Sequence, residues 1–155
     1  MSTTILSVPA YKILRVEETE QEYHIRTELA QSPTTCPTCA HARLLRYGRN
    51  EQLIRDLPIH GRRVGLYVDT QRWRCQACGK TFMEPLPAVD AKREMTGRLV
   101  AWIGQQSLRR TFTSIAEDIG LDEKTVRNIF RDHMNELEKT VRFETPTWVG
   151  IARPS

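Results

Sequence analysis

The sequence predicts an α+β chain, with strands first and helices last. Three observations carry this. Apolar and polar residues alternate at the period of a strand in stretches running up to Arg74. After "EPLPAVD", Glu84 to Asp90, with its two prolines, the spacing changes to that of a helix. Two Cys-x2-Cys pairs, Cys36 with Cys39 and Cys75 with Cys78, punctuate the strand half. The expected organisation is a β-hairpin over 1–32, a four-cysteine ribbon over 33–88, an all-helical domain over 89–142 and a tail over 143–155.

"YKILRVEETEQEYHIRTELA", Tyr11 to Ala30, reads as two extended runs around a polar turn. Tyr23, Ile25, Thr27 and Leu29 alternate with polar residues, as on a half-buried strand. Val64, Leu66 and Val68 repeat the pattern, and Gln71 to Arg74 lead into the second cysteine pair. "LPIHG", Leu57 to Gly61, is a turn signal. Three helices are expected after the boundary. The first runs from Lys92 to Gln106, with Met95, Leu99 and Trp102 on one face. The second runs from Phe112 to Ile119. The third runs from Glu123 to Thr140, with Val126, Ile129, Phe130, Met134, Leu137 and Val141 at helical spacing.

The chain has 155 residues, of which 39% are hydrophobic. That suits one ordinary domain or two small ones, and a small subdomain would need a staple. No run is long and apolar enough to suggest a membrane span. "MSTTILSVPAY" lacks the basic start of a secretory signal. A cytoplasmic location is therefore expected, where thiols stay reduced and disulfides are disfavoured. Charge is uneven. Residues 33–88 hold nine basic and four acidic side chains, whereas 1–32 hold three and five. A polyanion suits the cysteine segment, a mild basic excess that aids solubility being the plain alternative.

Two Cys-x2-Cys pairs 35 residues apart fit one tetrahedral site of four thiolates, Cys36, Cys39, Cys75 and Cys78. The gap leaves room for two or three strands between the knuckles, which is a zinc-ribbon arrangement. Gly79 follows the second knuckle, where positive φ is common, and Ala40 takes the equivalent place after the first. A thioredoxin-like motif would need one pair on a βαβ scaffold. An iron–sulfur cluster also takes four cysteines, so spacing leaves zinc and iron both open. His41 and His60 read as surface residues, because four thiols already complete the shell. A closed shell has no position for water, so such a zinc is structural.

"TSIAEDIGLDEKTVRNIFRDH", Thr113 to His133, has the marks of a helix-turn-helix. Ala116 sits at the expected helix crossing, and Gly120 opens the turn. Val126 and Ile129 point back to the core. Ser114 with Glu117 suggests a capping box, and Asp122 an N-cap for the last helix. Glu123, Lys124, Arg127, Asn128 and Arg131 then face outward. Arg127, Asn128 and Arg131 are candidates for base reading, with Lys124 beside them. Thr113, Thr125, Arg109 and Arg110 are candidates for phosphate contacts, joined by Arg62 and Arg63 from the basic ribbon. Against this stand Asp118, Asp122, Glu123 and Asp132, which put negative charge near the proposed groove face.

A β-hairpin, "CPTC", then "LIRDLPIHGRRVGLYVDTQRWRCQACGKTF", then a helix-turn-helix resembles the N-terminal half of bacterial transposases of the ISL3 insertion-sequence family. The resemblance runs from Leu6 to Ile151. It implies a zinc-binding segment and a helix-turn-helix that recognise terminal inverted repeats in double-stranded DNA. In that family a DDE catalytic domain follows, opening on Trp-x-Gly-Ile-Asp-Glu. Here Trp148, Gly150 and Ile151 match, but Ala152 and Arg153 replace the two acids. The expectation is a DNA-binding protein without catalysis of its own, no small-molecule substrate and no membrane contact. A free-standing transcriptional regulator and a zinc-stabilised protein-interaction module are the alternatives. A homodimer through Met134, Leu137 and Val141 is one reading of the third helix, and packing within the chain the other.

Overall fold

The computed structural model describes residues 10–141, together with Thr147 and Gly150. The match at Trp148 and Ile151 to the start of a catalytic domain lies outside the described residues. Among the described residues the fold is α+β, with seven strands in one mixed sheet and three helices. The strands are β1 (Tyr11–Glu18), β2 (Glu22–Leu29), β3 (Leu44–Ile59), β4 (Arg62–Cys75), β5 (Thr81–Met83), β6 (Val89–Asp90) and β7 (Met95–Thr96). The helices are α1 (Gly97–Gln106), α2 (Phe112–Ile119) and α3 (Glu123–Thr140). The sheet order is β1-β2-β4-β3-β7-β6, with β5 also on β4. No helix among the described residues is long and apolar enough to cross a membrane.

β1 and β2 form an antiparallel hairpin whose turn is tied by Thr19, which accepts from the Glu22 backbone N–H at 3.0 Å. This hairpin joins the ribbon, because β2 runs parallel to β4 from Glu22 opposite Arg63 to Glu28 opposite Asp69. β3 and β4 make one long antiparallel hairpin. Its turn is His60–Gly61, with φ of 53° and 72°. Two successive left-handed residues give the turn whose twist matches paired strands. The turn expected over Leu57 to Gly61 is therefore narrower, and Leu57 to Ile59 remain in β3.

Alternation along β4 builds the first core. Val64, Leu66 and Val68 are buried and pack with Tyr11, Ile25 and Ile54. Tyr11 also donates its hydroxyl to the Pro87 carbonyl at 2.8 Å, and burial pushes its pKa to about 12. The second core is helical: Leu99 and Ile103 of α1, Ile115, Ala116 and Ile119 of α2, and Val126 and Ile129 of α3, closed by Met95.

Helix α1 begins at Gly97 and not at Lys92 as its periodicity suggests. Met95 and Thr96 are instead a short strand, with Met95 opposite Arg55 of β3. The cause is Asp56, a carboxylate 2% exposed. It accepts from the Thr96 hydroxyl at 2.7 Å and from Arg98 Nε at 2.8 Å, with Arg98 Nη2 completing the pair. Thr96 in turn caps α1 by accepting from the Leu99 N–H. One buried acid thus fixes where the helix starts and joins it to the sheet. A second tie runs from Arg63 Nη2 to the Glu117 carbonyl in α2 at 2.6 Å.

Replacing Arg98 by Ala leaves the Asp56 carboxylate buried without its counter-charge. We expect a loss of about 3 kcal/mol, the low end for a broken buried pair because the Arg98 side chain is 35% exposed. Urea unfolding checks it, and a change within experimental error would remove Asp56 from this role.

Candidate metal centre and nucleic-acid interface

The two knuckles use one backbone pattern twice. Cys36 N–H donates to the His41 carbonyl and Cys75 N–H to the Lys80 carbonyl, both at 2.9 Å. Ala40 N–H returns to the Cys36 carbonyl at 2.9 Å, and Gly79 N–H to the Cys75 carbonyl at 3.0 Å. Each loop needs a left-handed residue just after its second cysteine. Gly79 supplies it at φ 74°, and Ala40 adopts it at φ 60° despite its Cβ. The geometry of the knuckle therefore overrides residue preference at Ala40. A cross-link between the Gln76 N–H and the Arg43 carbonyl, 3.0 Å, holds the loops face to face.

The four Sγ atoms of Cys36, Cys39, Cys75 and Cys78 all lie within 4.8 Å of one another. Cys36 and Cys78 are 3.8 Å apart and Cys39 and Cys75 3.5 Å. A tetrahedron with Zn–S bonds of about 2.3 Å has sulfur–sulfur edges of about 3.8 Å, close to these two edges, so the thiols are gathered at the scale of a zinc shell. Backbone N–H groups of Cys39 and Thr38 draw the Cys36 thiol down to about 6, against burial. The backbone N–H of Cys78 likewise lowers Cys75. The His41 N–H pulls on Cys39 too, but its contacts with the other thiols, Cys75 first, and burial push it up to about 11. Four sulfurs this close compete for negative charge, and a divalent cation relieves the competition. His41 and His60 stay outside the shell. His41 Nδ1 accepts from the Arg43 N–H at 3.2 Å, and His60 Nδ1 meets the Tyr23 hydroxyl at 3.1 Å.

The helices carry the second site. Gly120 ends α2 at φ 81°, and its N–H bonds back to the Ala116 carbonyl. A Cβ there would come within 3.0 Å of the Arg63 side chain, so glycine serves both the turn and the approach of the sheet. Thr111, not Ser114, caps α2, accepting from the Ser114 N–H at 3.2 Å. The Ser114–Glu117 capping box is therefore replaced by a cap one turn earlier. Asp122 does cap α3, and the Thr125 hydroxyl and N–H hold its carboxyl below the usual value.

Lys124, Arg127 and Arg131 are exposed on α3, Asn128 and Thr125 half-buried. The nearby acids are each engaged. Asp118 meets Arg110 at 2.5 Å, Asp132 pairs with Arg93, and Glu123 pairs with Arg127 and accepts from the Thr113 hydroxyl at 3.1 Å. Among the described residues Lys124, Arg109 and Arg131 make no salt bridge. The structure adds residues that sequence reasoning missed. Lys92 and Arg93 line an open groove of about 440 Å³ with Thr125, Asn128, Arg131 and Asp132. "AKRE" was legible as a basic pair, but assigning it to α1 hid its position beside α3. Arg62 and Arg63 are engaged within the protein. Arg62 pairs with Glu18 and lies over the Tyr23 ring, and Arg63 reaches α2.

Two family models match the chain. One, described as the zinc-finger of transposase IS204/IS1001/IS1096/IS1165, covers residues 32–78. The other, the helix-turn-helix domain of transposase family ISL3, covers residues 84–134. No curated protein and no solved structure matches. The zinc-finger match and the four-thiol cluster together identify the metal as structural zinc.

Metal removal should be local in its structural effect. Zinc binding contributes on the order of 10 kcal/mol in small modules. The helical core draws on residues 95–129 and on no knuckle residue. Cys75→Ser should abolish stoichiometric zinc by elemental analysis, while most of the far-ultraviolet helical signal persists. Zinc retained at one per chain would contradict the four-thiolate shell.

Proposed function

Because the chain carries in tandem the zinc ribbon and the helix-turn-helix of ISL3-family transposases, we propose that it is a sequence-specific DNA-binding protein that recognises the terminal inverted repeats of an insertion sequence. The observation that carries this is α3 itself, where Asn128 and Arg131 line a groove with Lys92 and Arg93 and Arg127 is exposed one turn before Arg131. A helix of this kind enters the major groove, where arginine reads guanine and asparagine reads adenine. The acids that argued against such a face are held in caps and ion pairs. Arg127 must leave Glu123 to reach a base, at a cost of about 0.5 kcal/mol for an exposed helical pair. Thr113, Thr125, Arg109 and Arg110 flank the face as phosphate contacts in this reading.

The reading extends to binding without cutting by these residues. Phosphoryl transfer of the DDE kind needs carboxylates gathered around metal ions. Among the described residues the one cluster of ligating side chains suited to an ion is the four cysteines. The purified chain should therefore shift labelled end DNA and leave it intact with Mg²⁺ or Mn²⁺, and metal-dependent nicking would reverse this part.

Arg131→Ala should weaken binding to the preferred sequence, found by selection from a random pool, by roughly 1–3 kcal/mol and change binding to unrelated duplex little. An equal loss on both would remove Arg131 from base reading. Absence of any preferred sequence would sink the proposal and favour an interaction module.

A further inference from the structure

The zinc end of the β3–β4 hairpin holds cations without ion pairs, although Arg46 and Arg49 share a small pocket with Glu28, Asp69 and Glu84. Residues 43–49 and 72–80 contain Arg43, Arg46, Arg49, Arg72, Arg74 and Lys80, and no aspartate or glutamate. Among the described residues none of these six cations makes a salt bridge. The contrast with the other end of the hairpin is sharp, since Arg55 pairs with Glu22 and Arg62 with Glu18. A zinc tetrathiolate carries a formal charge of −2, which leaves most of this positive charge uncompensated.

The cations are also arranged. Arg72 and Arg74 alternate on one face of β4, beyond the point where that face stops packing on the core. Both guanidiniums lie 5.8 Å from the Tyr47 ring. Arg72 is further fixed by donating to the Thr81 hydroxyl at 3.1 Å. Tyr47 is 54% exposed and Leu45 beside it 50%. Two arginines held against an exposed aromatic are positioned before any partner arrives, which lowers the entropy lost on binding.

We propose that this face, centred on Tyr47, Arg72 and Arg74, is a second DNA contact, one that grips the phosphate backbone and not the bases. It rests on the DNA-binding reading of α3 and adds to it. Arginine and tyrosine are backbone-contacting side chains, and a surface of one sign suits a polyanion of uniform charge. Arg72 lies nine steps along β4 from Arg63, at the helical end. At roughly 3.3 Å per residue that is about 30 Å, near the 34 Å of one DNA turn. A duplex lying along the hairpin would therefore meet its helical end, where Arg63 reaches α2, and its zinc end about one turn apart.

The test is the salt dependence of binding to a fluorescein-labelled random-sequence duplex of about 30 base pairs, roughly three turns. Arg72→Gln/Arg74→Gln removes the charge while keeping a polar side chain, and Arg72→Lys/Arg74→Lys keeps the charge. Zinc content and helical signal verify the fold of each. Losing two phosphate contacts should reduce the slope of log K against log salt by about 1.8 and weaken binding about tenfold or more at physiological salt. The lysine pair should restore most of the slope. An unchanged slope in the glutamine pair, or an equal loss in the lysine pair, overturns the proposal while leaving the α3 reading intact. Wild-type protein without salt-dependent duplex binding would bring down both.

Discussion

The buried carboxylate of Asp56 is the interaction on which the arrangement of the chain depends. It stands on β3, yet its partners, Thr96 and Arg98, belong to the entry of α1. An acid at 2% exposure is tolerated only with its lone pairs and charge satisfied. Satisfying them draws the start of the helix onto the sheet. Two modest cores, one on the strands and one among the helices, are thereby held as a unit. The tie from Arg63 to the end of α2 acts in the same direction, and Gly120 makes room for it.

Glu84 plays a related part near the metal. It is 8% exposed and accepts from the Trp73 indole N–H at 3.0 Å and from the Gln71 N–H at 3.1 Å. The tryptophan of "RWRC" is thus anchored from the segment that follows the second knuckle. Zinc fixes the cysteines, Glu84 fixes the strand that leads to them, and the exposed arginines lie between. Charge is paired where elements must pack and left unpaired at the zinc end, a division that net charge alone does not reveal.

What was legible in the sequence was what local chemistry determines. Cysteine spacing gave the metal shell, and Gly120 and Asp122 gave the turn and the cap of the helix-turn-helix. Val64, Leu66 and Val68 gave the buried face of β4. What was not legible depends on partners distant in the chain. The parallel pairing of β2 with β4 has no local signal. Periodicity extended α1 back to Lys92, because nothing near Thr96 announces a carboxylate 40 residues upstream. For the same reason Lys92 and Arg93 were missed at the α3 groove, and Arg63, read as a candidate phosphate contact, reaches α2 instead.

The central place of β4 bears on the order in which the chain can assemble. β4 pairs with β2, β3 and β5, so β2 and β3 lack their common neighbour until β4 is made. The knuckles likewise cannot share an ion before Cys78 is present. The helix-turn-helix is built from neighbours in sequence, and such contacts form quickly once their residues exist. On the ribosome the slow, long-range half is synthesised first and the fast, local half last. Until Cys78 emerges, the first knuckle offers two thiolates without their partners, and early metal capture there would be weak and reversible. The joining of β2 to β3 and the closure of the metal shell are then two descriptions of a single step, set by β4 and the knuckle that follows it.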